Sequence, residues 1–161
     1  MKRSLLFSAL LFALLSSASI QCQQLAVQID SGKQVIFSRS DIEALPHVKV
    51  TATEHSLGPV TFEGVSLGSV LQNAGVGFGE SMKGKRLTNC LLVEAADGYR
   101  VVIALPELDA AFTDKQTLLA FLRDGKPLGE KEGPYRIVIP DEKRMARWVR
   151  QVTSLKIVEV Q

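Results

Sequence analysis

The sequence has few of the side chains that cross-link small proteins or bind metals, with only two cysteines and two histidines among 161 residues. Cys22 and Cys90 could form a single intramolecular disulfide, and we expect none because Cys22 lies in a terminal segment that should fray. Cys90 lies in a strand-like run and is expected to be a buried, inert thiol. The two histidines lack a set of Cys, Asp or Glu at metal-ligand spacing, so they do not make a zinc site. These absences argue against a disulfide framework and against zinc.

Long apolar runs are also missing, apart from one near the N-terminus at residues 5–15. It follows two basic residues and precedes a run of small residues, which is the pattern of a signal peptide. The run is shorter than the roughly 20 residues that a membrane-spanning helix needs. We therefore expect a signal peptide at residues 1–19, cleaved within about 18–24. A retained N-terminal anchor and a lipoprotein attached at Cys22 are the alternatives. The product would be periplasmic or secreted, with no membrane span after cleavage.

No excess of charge of either sign remains once that segment is set aside. Removing Lys2 and Arg3 lowers the count of basic residues from 19 to 17, which equals the 17 acidic ones. This balance gives no support for nucleic acid as a partner. Residues 25–161 contain no repeat, low-complexity tract or linker, and their length suits one core. The sequence therefore predicts a single domain at 25–161.

Apolar and polar residues alternate in many short segments, which is the pattern of half-buried strands. We predict strands at residues 25–29, 34–37, 47–55, 60–62, 87–95, 99–105, 135–139 and 152–160. Residues 117–123 fit a strand or a short helix, and the Asp97-Gly98 pair predicts a hairpin turn between two of the strands. Short strands with few short helices predict an α+β fold rather than a doubly wound sheet.

Three short helical segments are indicated by capping residues and helical spacing. Ser40 and Glu43 have the spacing of a capping box that would open one helical turn. Ser66 would open a second helix, whose apolar residues recur at helical spacing as far as Gly75, a C-cap residue. A third helical turn is predicted at residues 106–110.

Five sequence blocks occur in a fixed order between residues 38 and 160. They are Val-Thr-Ala-Thr-Glu-His-Ser at 50–56, Phe-Glu-Gly-Val-Ser-Leu at 62–67, Glu-Ala-Ala-Asp-Gly-Tyr at 94–99, Gly-Pro-Tyr-Arg-Ile-Val-Ile-Pro at 133–140, and Lys-Arg at 143–144 with Trp-Val at 148–149. Together they resemble the sulfite-oxidase-like oxidoreductase molybdopterin-binding domain family. The resemblance implies that family's fold, with mixed sheets of short strands and a few short helices. It also implies molybdopterin, the organic part of the molybdenum cofactor, as a possible cofactor.

The residue with which this family binds molybdenum is replaced here. In the family a Val-Thr-Ala-Thr strand leads to a cysteine whose soft thiolate suits the metal. The matching position is Ser56, or His55 if the alignment slips by one, and neither restores a thiolate. The arginine-rich stretch that follows that cysteine in sulfite oxidases is replaced by Leu-Gly-Pro-Val at 57–60. His55 and Ser56 do not form a nucleophile–base pair either, because adjacent strand side chains face opposite sides. The metal ligand therefore stays unknown.

Basic and aromatic residues are the candidates that the resemblance implies for cofactor binding. They are His55, Arg136, Lys143, Arg144, Arg147 and Trp148. If residues 143–150 are helical, Lys143, Arg147 and Arg150 share one face, which would suit an anion. Asp141 would then cap the helix start, where backbone N–H groups also favour an anion. The alternative is a solvated helix whose charges Asp141 and Glu142 balance.

Arg136 and Trp148 each have an ordinary structural interpretation beside the cofactor-binding one. A strand-borne arginine commonly points to solvent, and a lone tryptophan commonly packs in the core. Asp97 and Tyr99 are expected as turn and sheet residues, and their block also makes them candidates for the rim of the pocket.

Two functions stay open at this point. The first is an exported binding or scaffold module without redox chemistry, whose partner is a small anion, a pterin-like ligand or another exported protein. The second is an active periplasmic molybdopterin-dependent oxidoreductase that transfers oxygen atoms or electrons. The N-terminal segment has no twin arginine. This indicates export of an unfolded chain and favours the first function, because proteins loaded with this cofactor cross the membrane folded.

Overall fold

The alternating segments form ten strands in the computed structural model, which describes residues 24–29, 32–54 and 58–160. In chain order they are β1 Leu25–Gln28, β2 Gln34–Phe37, β3 His47–Glu54, β4 Gly58–Ser66, β5 Cys90–Ala95, β6 Arg100–Ala104, β7 Leu118–Arg123, β8 Lys126–Pro127, β9 Arg136–Val138 and β10 Val152–Val158. The helices are α1 Arg39–Glu43 and α2 Leu67–Ala74, and 3-10 turns form at Gly79–Ser81, Gly84–Thr88, Leu105–Leu108 and Met145–Arg147. The predicted signal peptide and Cys22 lie outside the described residues.

The first sheet has the strand order β2-β1-β10-β5-β6. β1 and β10 run parallel, with Ala26 opposite Ser154, and the other neighbours are antiparallel. The β5–β6 hairpin turns at Asp97 and Gly98, as predicted. Gly98 has a φ of 82°, a backbone conformation that glycine adopts without steric cost.

The second sheet has the order β3-β4-β7-β8. β9 pairs with the part of β7 that β8 leaves unpaired. Glu54 and Gly58 are the last pair of the β3–β4 ladder. In the sequence, only residues 55–57 separate them. β7 pairs with both β4 and β9, and its first four residues are buried. This two-sided pairing explains why residues 117–123, which fitted a strand or a helix, form a strand.

One cluster of buried apolar side chains joins both sheets and α2. α2 buries Leu67, Val70, Leu71 and Ala74, which is the face that the spacing predicted. It ends at Gly75, whose φ of 102° confirms the expected C-cap. The architecture is α+β, as predicted, and no helix in the described ranges is both long and apolar enough to cross a membrane.

The predicted start of α1 is wrong by two residues. Ser38, not Ser40, is the N-cap, and Asp41 rather than Glu43 completes the capping box. The Ser38 hydroxyl accepts from the Asp41 N–H at 3.2 Å, and the Asp41 carboxylate accepts from the Ser38 N–H at 2.8 Å. The short side chain of Asp41 therefore completes the capping box, a role that the sequence pattern had assigned to Glu43.

Candidate functional site

β3 places a carboxylate at the end of its buried face. Val50, Ala52 and Glu54 alternate on that face, and Glu54 is only 5% exposed. A buried carboxylate is strongly destabilising unless it is paired and hydrogen-bonded, so Glu54 requires partners. The candidate positions His55 and Ser56 follow Glu54 directly in the chain and lie outside the described residues.

Glu54 belongs to a group of two carboxylates and two guanidinium groups, Glu54, Arg123, Glu132 and Arg136, named here the buried ion cluster. Arg136 donates from Nη2 to Glu54 Oε1 at 2.6 Å and from Nη1 to Glu132 Oε1 at 2.6 Å. Arg123 donates from Nη2 to Glu54 Oε2 at 2.5 Å and from Nη1 to both Glu132 oxygens at 3.2 Å. Each arginine thus contacts both carboxylates, and the four charges sum to zero.

Two aromatic rings flank this cluster. The Arg136 Cζ lies 5.2 Å from the centre of the Phe62 ring and 5.6 Å from that of the Trp148 ring. The Arg123 Cζ lies 5.8 Å from the Phe62 ring centre. Aromatic faces attract guanidinium groups and keep water away from them, which strengthens the ion pairs. Arg136 is 1% exposed, so the interpretation of a strand arginine that points to solvent is wrong.

A cleft of about 370 Å³ lies beside the buried ion cluster. Its lining includes Asp97, Tyr99, Lys131, Arg136, Trp148 and Arg150. The Tyr99 hydroxyl donates to the carbonyl oxygen of Ala146 at 2.8 Å, which holds one wall in place. Lys131 and Arg150 are exposed, and neither has an ion-pair partner among the described residues. The cleft therefore combines aromatic surface with two cations that remain open to a ligand.

Residues 143–150 do not form the helix on which the shared basic face depended. A single 3-10 turn, Met145–Arg147, forms there. Beyond this turn the chain runs beside the segment that contains β9, and the Ile137 N–H donates to the Val149 carbonyl oxygen at 2.8 Å. The Val149 carbonyl is therefore bonded to a distant strand. The three basic residues do not share a helix face, and Asp141 does not cap one.

The basic residues of this segment differ in their surroundings. Lys143 and Arg144 are exposed and lie outside the lining of the cleft. Arg147 donates from Nε to Glu142 at 2.6 Å and from Nη2 to Glu107 at 3.4 Å. Burial alone would lower the pKa of Arg147, but its bonds to these carboxylates outweigh burial and raise it. The Arg147 guanidinium is therefore already occupied by anionic groups.

Trp148 has the ordinary packing role that a lone tryptophan predicts. It is 4% exposed, and its Nε1 donates to the Ile139 carbonyl oxygen at 3.0 Å. Its ring meets Phe62 edge to face, with 6.0 Å between the ring centres. One side of Trp148 also forms part of the cleft lining, so that the same ring belongs to the core and to the candidate site.

Cys90 does not replace the missing thiolate. It is half-buried at the start of β5, and its Sγ donates to the Val158 carbonyl oxygen at 3.9 Å. The cleft is lined by Ala95 at the other end of the same strand. Five residues along a strand span roughly 16 Å. The thiol is therefore far from the cleft, although it is less buried than expected.

The residues at the family's cofactor positions do not fit a molybdenum cofactor held by a thiolate. The sequence supplies Ser56 at the thiolate position, and the guanidinium groups of Arg136 and Arg147 donate to carboxylates of the chain. What remains at the cleft is Lys131 and Arg150, which suit an anion.

The sequence reasoning missed Glu54, Arg123, Glu132 and Lys131. One signal was present, because the alternation in β3 places Glu54 on the same face as Val50 and Ala52. A charged residue on an apolar face predicts a buried ion pair. Its partners had no local signal, since Arg123 and Arg136 are 69 and 82 residues away along the chain.

Two of the three comparisons with known proteins give matches, one with a family model and one with solved structures. A family model described as the oxidoreductase molybdopterin binding domain matches residues 16–161. Among solved structures, the sulfane dehydrogenase SoxCD from Paracoccus pantotrophus is similar in fold, with a TM-score of 0.66 and 20% sequence identity. The similarity covers 85% of this chain and 38% of that chain, so this chain spans well under half of that protein's length. The comparison with curated proteins found no match.

Proposed function

The chain belongs to the oxidoreductase molybdopterin binding domain family, as its sequence blocks predicted, and we propose that it is a binding member without molybdenum redox chemistry of its own. The buried ion cluster is the observation on which this rests, because Glu54 and Glu132 occupy both terminal nitrogens of Arg136. Ser56 adds to the argument, since its hydroxyl is a harder and far less acidic ligand than a thiolate. A domain of this kind can bind a ligand without oxidising it.

The ligand that we propose is a small organic anion with a flat ring, such as a pterin carboxylate. Lys131 and Arg150 supply positive charge at the cleft, and Tyr99 and Trp148 supply aromatic surface. Charged donors of this type form strong hydrogen bonds to carboxylates and phosphates. Another exported protein is the competing partner, and it would leave the cleft unresponsive to small pterins.

Elemental and pterin analysis tests the absence of redox chemistry. The full chain, with its own N-terminal segment, would be produced in a host that makes molybdenum cofactor. Metal would be measured by mass spectrometry and released pterin by fluorescence. We expect well-folded protein without stoichiometric molybdenum. Near-stoichiometric molybdenum together with pterin would contradict the proposal and support the active oxidoreductase instead.

A fluorescence titration tests the ligand. Trp148 is the only tryptophan of the chain and lines the cleft, so its emission reports on occupancy there. We expect pterin-6-carboxylate to change this emission saturably. Lys131→Ala and Arg150→Ala should each weaken binding about tenfold, since each removes a charged hydrogen-bond donor. Lys126→Ala, in β8 outside the cleft lining, is the matched control and should bind as the unaltered chain does. Equal affinity in all four proteins would contradict this ligand site.

We also propose that the protein acts outside the cytoplasm after removal of its N-terminal segment. The support is the short apolar run at residues 5–15 with its basic and small-residue flanks. Cell fractionation followed by N-terminal sequencing checks this. The expected result is an exported chain that begins within about residues 18–24, and a full-length chain in the cytoplasm would contradict it.

A further inference from the structure

The buried ion cluster uses its hydrogen-bonding groups almost completely. All four carboxylate oxygens of Glu54 and Glu132 accept from an arginine, and both terminal nitrogens of Arg123 and Arg136 donate. The Nε of Arg136 is the exception, since it is buried and has no hydrogen-bond partner. With two carboxylates and two guanidinium groups the cluster is neutral, and the Arg136 Nε is a buried nitrogen of it that has no hydrogen-bond partner.

A guanidinium group binds a carboxylate and an inorganic oxyanion through the same paired hydrogen bonds. Arg136 also belongs to the cleft lining, so an anion that entered the cleft deeply would compete for the same nitrogens. Glu54 reaches the Arg136 guanidinium from the end of β3, and Glu132 reaches it from the loop that precedes β9. Their carboxylates already accept hydrogen bonds from the two terminal nitrogens through which Arg136 would bind such an anion.

We propose that Glu54 and Glu132 are internal counter-anions that close the inner end of the cleft to external oxyanions. They are specificity-determining residues, because they restrict the charged group of a ligand to Lys131 and Arg150 at the cleft mouth. This inference rests on the proposed function of the cleft as a binding site. Loss of one carboxylate charge would turn the cluster into an oxyanion site built on Arg123 and Arg136.

Glu132 is the better residue to alter, because its side chain is 15% exposed while that of Glu54 is 6% exposed. Glu132→Gln keeps the shape and one acceptor oxygen, gives the cluster a net positive charge and releases donors beside the unused Arg136 Nε. Glu130→Gln is the matched control, since it removes the same charge from an exposed position of the same loop. The probe is inorganic phosphate, compared with chloride at equal ionic strength.

Isothermal titration calorimetry and the arginine Nε–H signals in nuclear magnetic resonance spectra give two independent readouts. We expect Glu132→Gln to bind phosphate at least about tenfold more tightly than the unaltered chain, with shifts of the Arg123 and Arg136 signals. The unaltered chain and Glu130→Gln should show no such shifts. Phosphate binding to the unaltered chain with shifts of these two signals would overturn the proposal, and so would a folded Glu132→Gln without a gain in affinity.

If Glu132→Gln does not fold by itself, a refolding experiment in the presence of phosphate tests the proposal instead. Rescue by phosphate, and not by chloride, supports the proposal, whereas no rescue overturns it. The outcome is separable from that of the proposed function. Failure of pterin-6-carboxylate to bind would refute the ligand site at the cleft mouth and leave the phosphate result of Glu132→Gln interpretable.

Discussion

At the scale of single residues, Arg136 is a buried charge that its neighbours stabilise. Its guanidinium lies between two carboxylates and two aromatic rings, and its surroundings leave it 1% exposed. In such a position the ion pair itself adds little net stability, because desolvation of the charges offsets their attraction. Removal of one partner is different, since the opposite charge then stays buried without compensation.

Arg136→Met is therefore expected to lower the free energy of unfolding by about 3–5 kcal/mol. Glu54 would keep only Arg123 as a partner. Arg100→Met is the matched control, because Arg100 pairs with Glu94 at the surface with its side chain 61% exposed, and its loss should cost about 1 kcal/mol or less. Urea denaturation measures both. Equal losses in the two variants would contradict the role given to burial.

His47 should make the stability of the protein depend on pH. Its pKa is raised because its ring hydrogen-bonds the Glu43 carbonyl oxygen at 2.9 Å and the Glu63 carboxylate at 3.0 Å. Folding thus favours the protonated ring. Its contribution is fully present below the ordinary value of 6.5 and is lost as the pH rises through the raised value.

The comparison that checks this is His47→Gln. Urea midpoints of the two proteins should differ most in mildly acidic solution and converge in alkaline solution. A difference that grew with pH would show that the neutral ring is the favoured form.

At the scale of elements, α2 is fixed in place by a close backbone approach. A Cβ at Gly68 would lie 2.5 Å from the Leu108 carbonyl oxygen, which is too close for any real contact. Gly68 therefore lets the first turn of α2 pack directly against the 3-10 turn Leu105–Leu108, and helix and turn hold each other in position.

Gly68→Ala tests this packing. Alanine has the better helix propensity, by about 1 kcal/mol, but overpacking against a backbone atom costs about 1–3 kcal/mol. We expect a net loss of stability, measured as a lower thermal midpoint. Gln72→Ala, at an exposed position of the same helix, should leave that midpoint unchanged or raise it slightly. A more stable Gly68→Ala protein would show that the turn can move aside.

The elements differ in how much of them the sequence could predict. β3 and α2 follow from patterns within a few residues, since alternation and helical spacing are local properties. Whether residues 143–150 are helical stayed open in the sequence, because the Val149 carbonyl bonds to the segment around β9, which tertiary structure alone brings near. The buried ion cluster escaped prediction for the same reason, since Glu54 and Arg136 are 82 residues apart in the chain.

At the scale of the whole molecule, both sheets share one apolar cluster, and the buried charges near the cleft are balanced by the chain itself. A ligand that binds only the folded state raises the thermal midpoint, by an amount that grows with its affinity and its concentration. A domain whose buried charges are already paired with one another does not depend on such a ligand to stabilise its fold.

We therefore expect the protein from a host without molybdenum-cofactor synthesis to have the same thermal midpoint as the protein from a competent host. Differential scanning calorimetry on both preparations measures this. A midpoint several degrees higher from the competent host would indicate that a cofactor stabilises the fold.

The position of β10 in the first sheet bears on the order in which the chain can fold. β10 is the last strand in sequence and lies between β1 and β5, with Ala26 opposite Ser154. The β1–β2 and β5–β6 hairpins each pair strands that are near in sequence, and β10 is the strand that joins the two hairpins. Pairing across such a sequence separation carries a large loop-closure cost and slows folding. The first sheet consequently stays divided into two hairpins until β10 pairs with both of them.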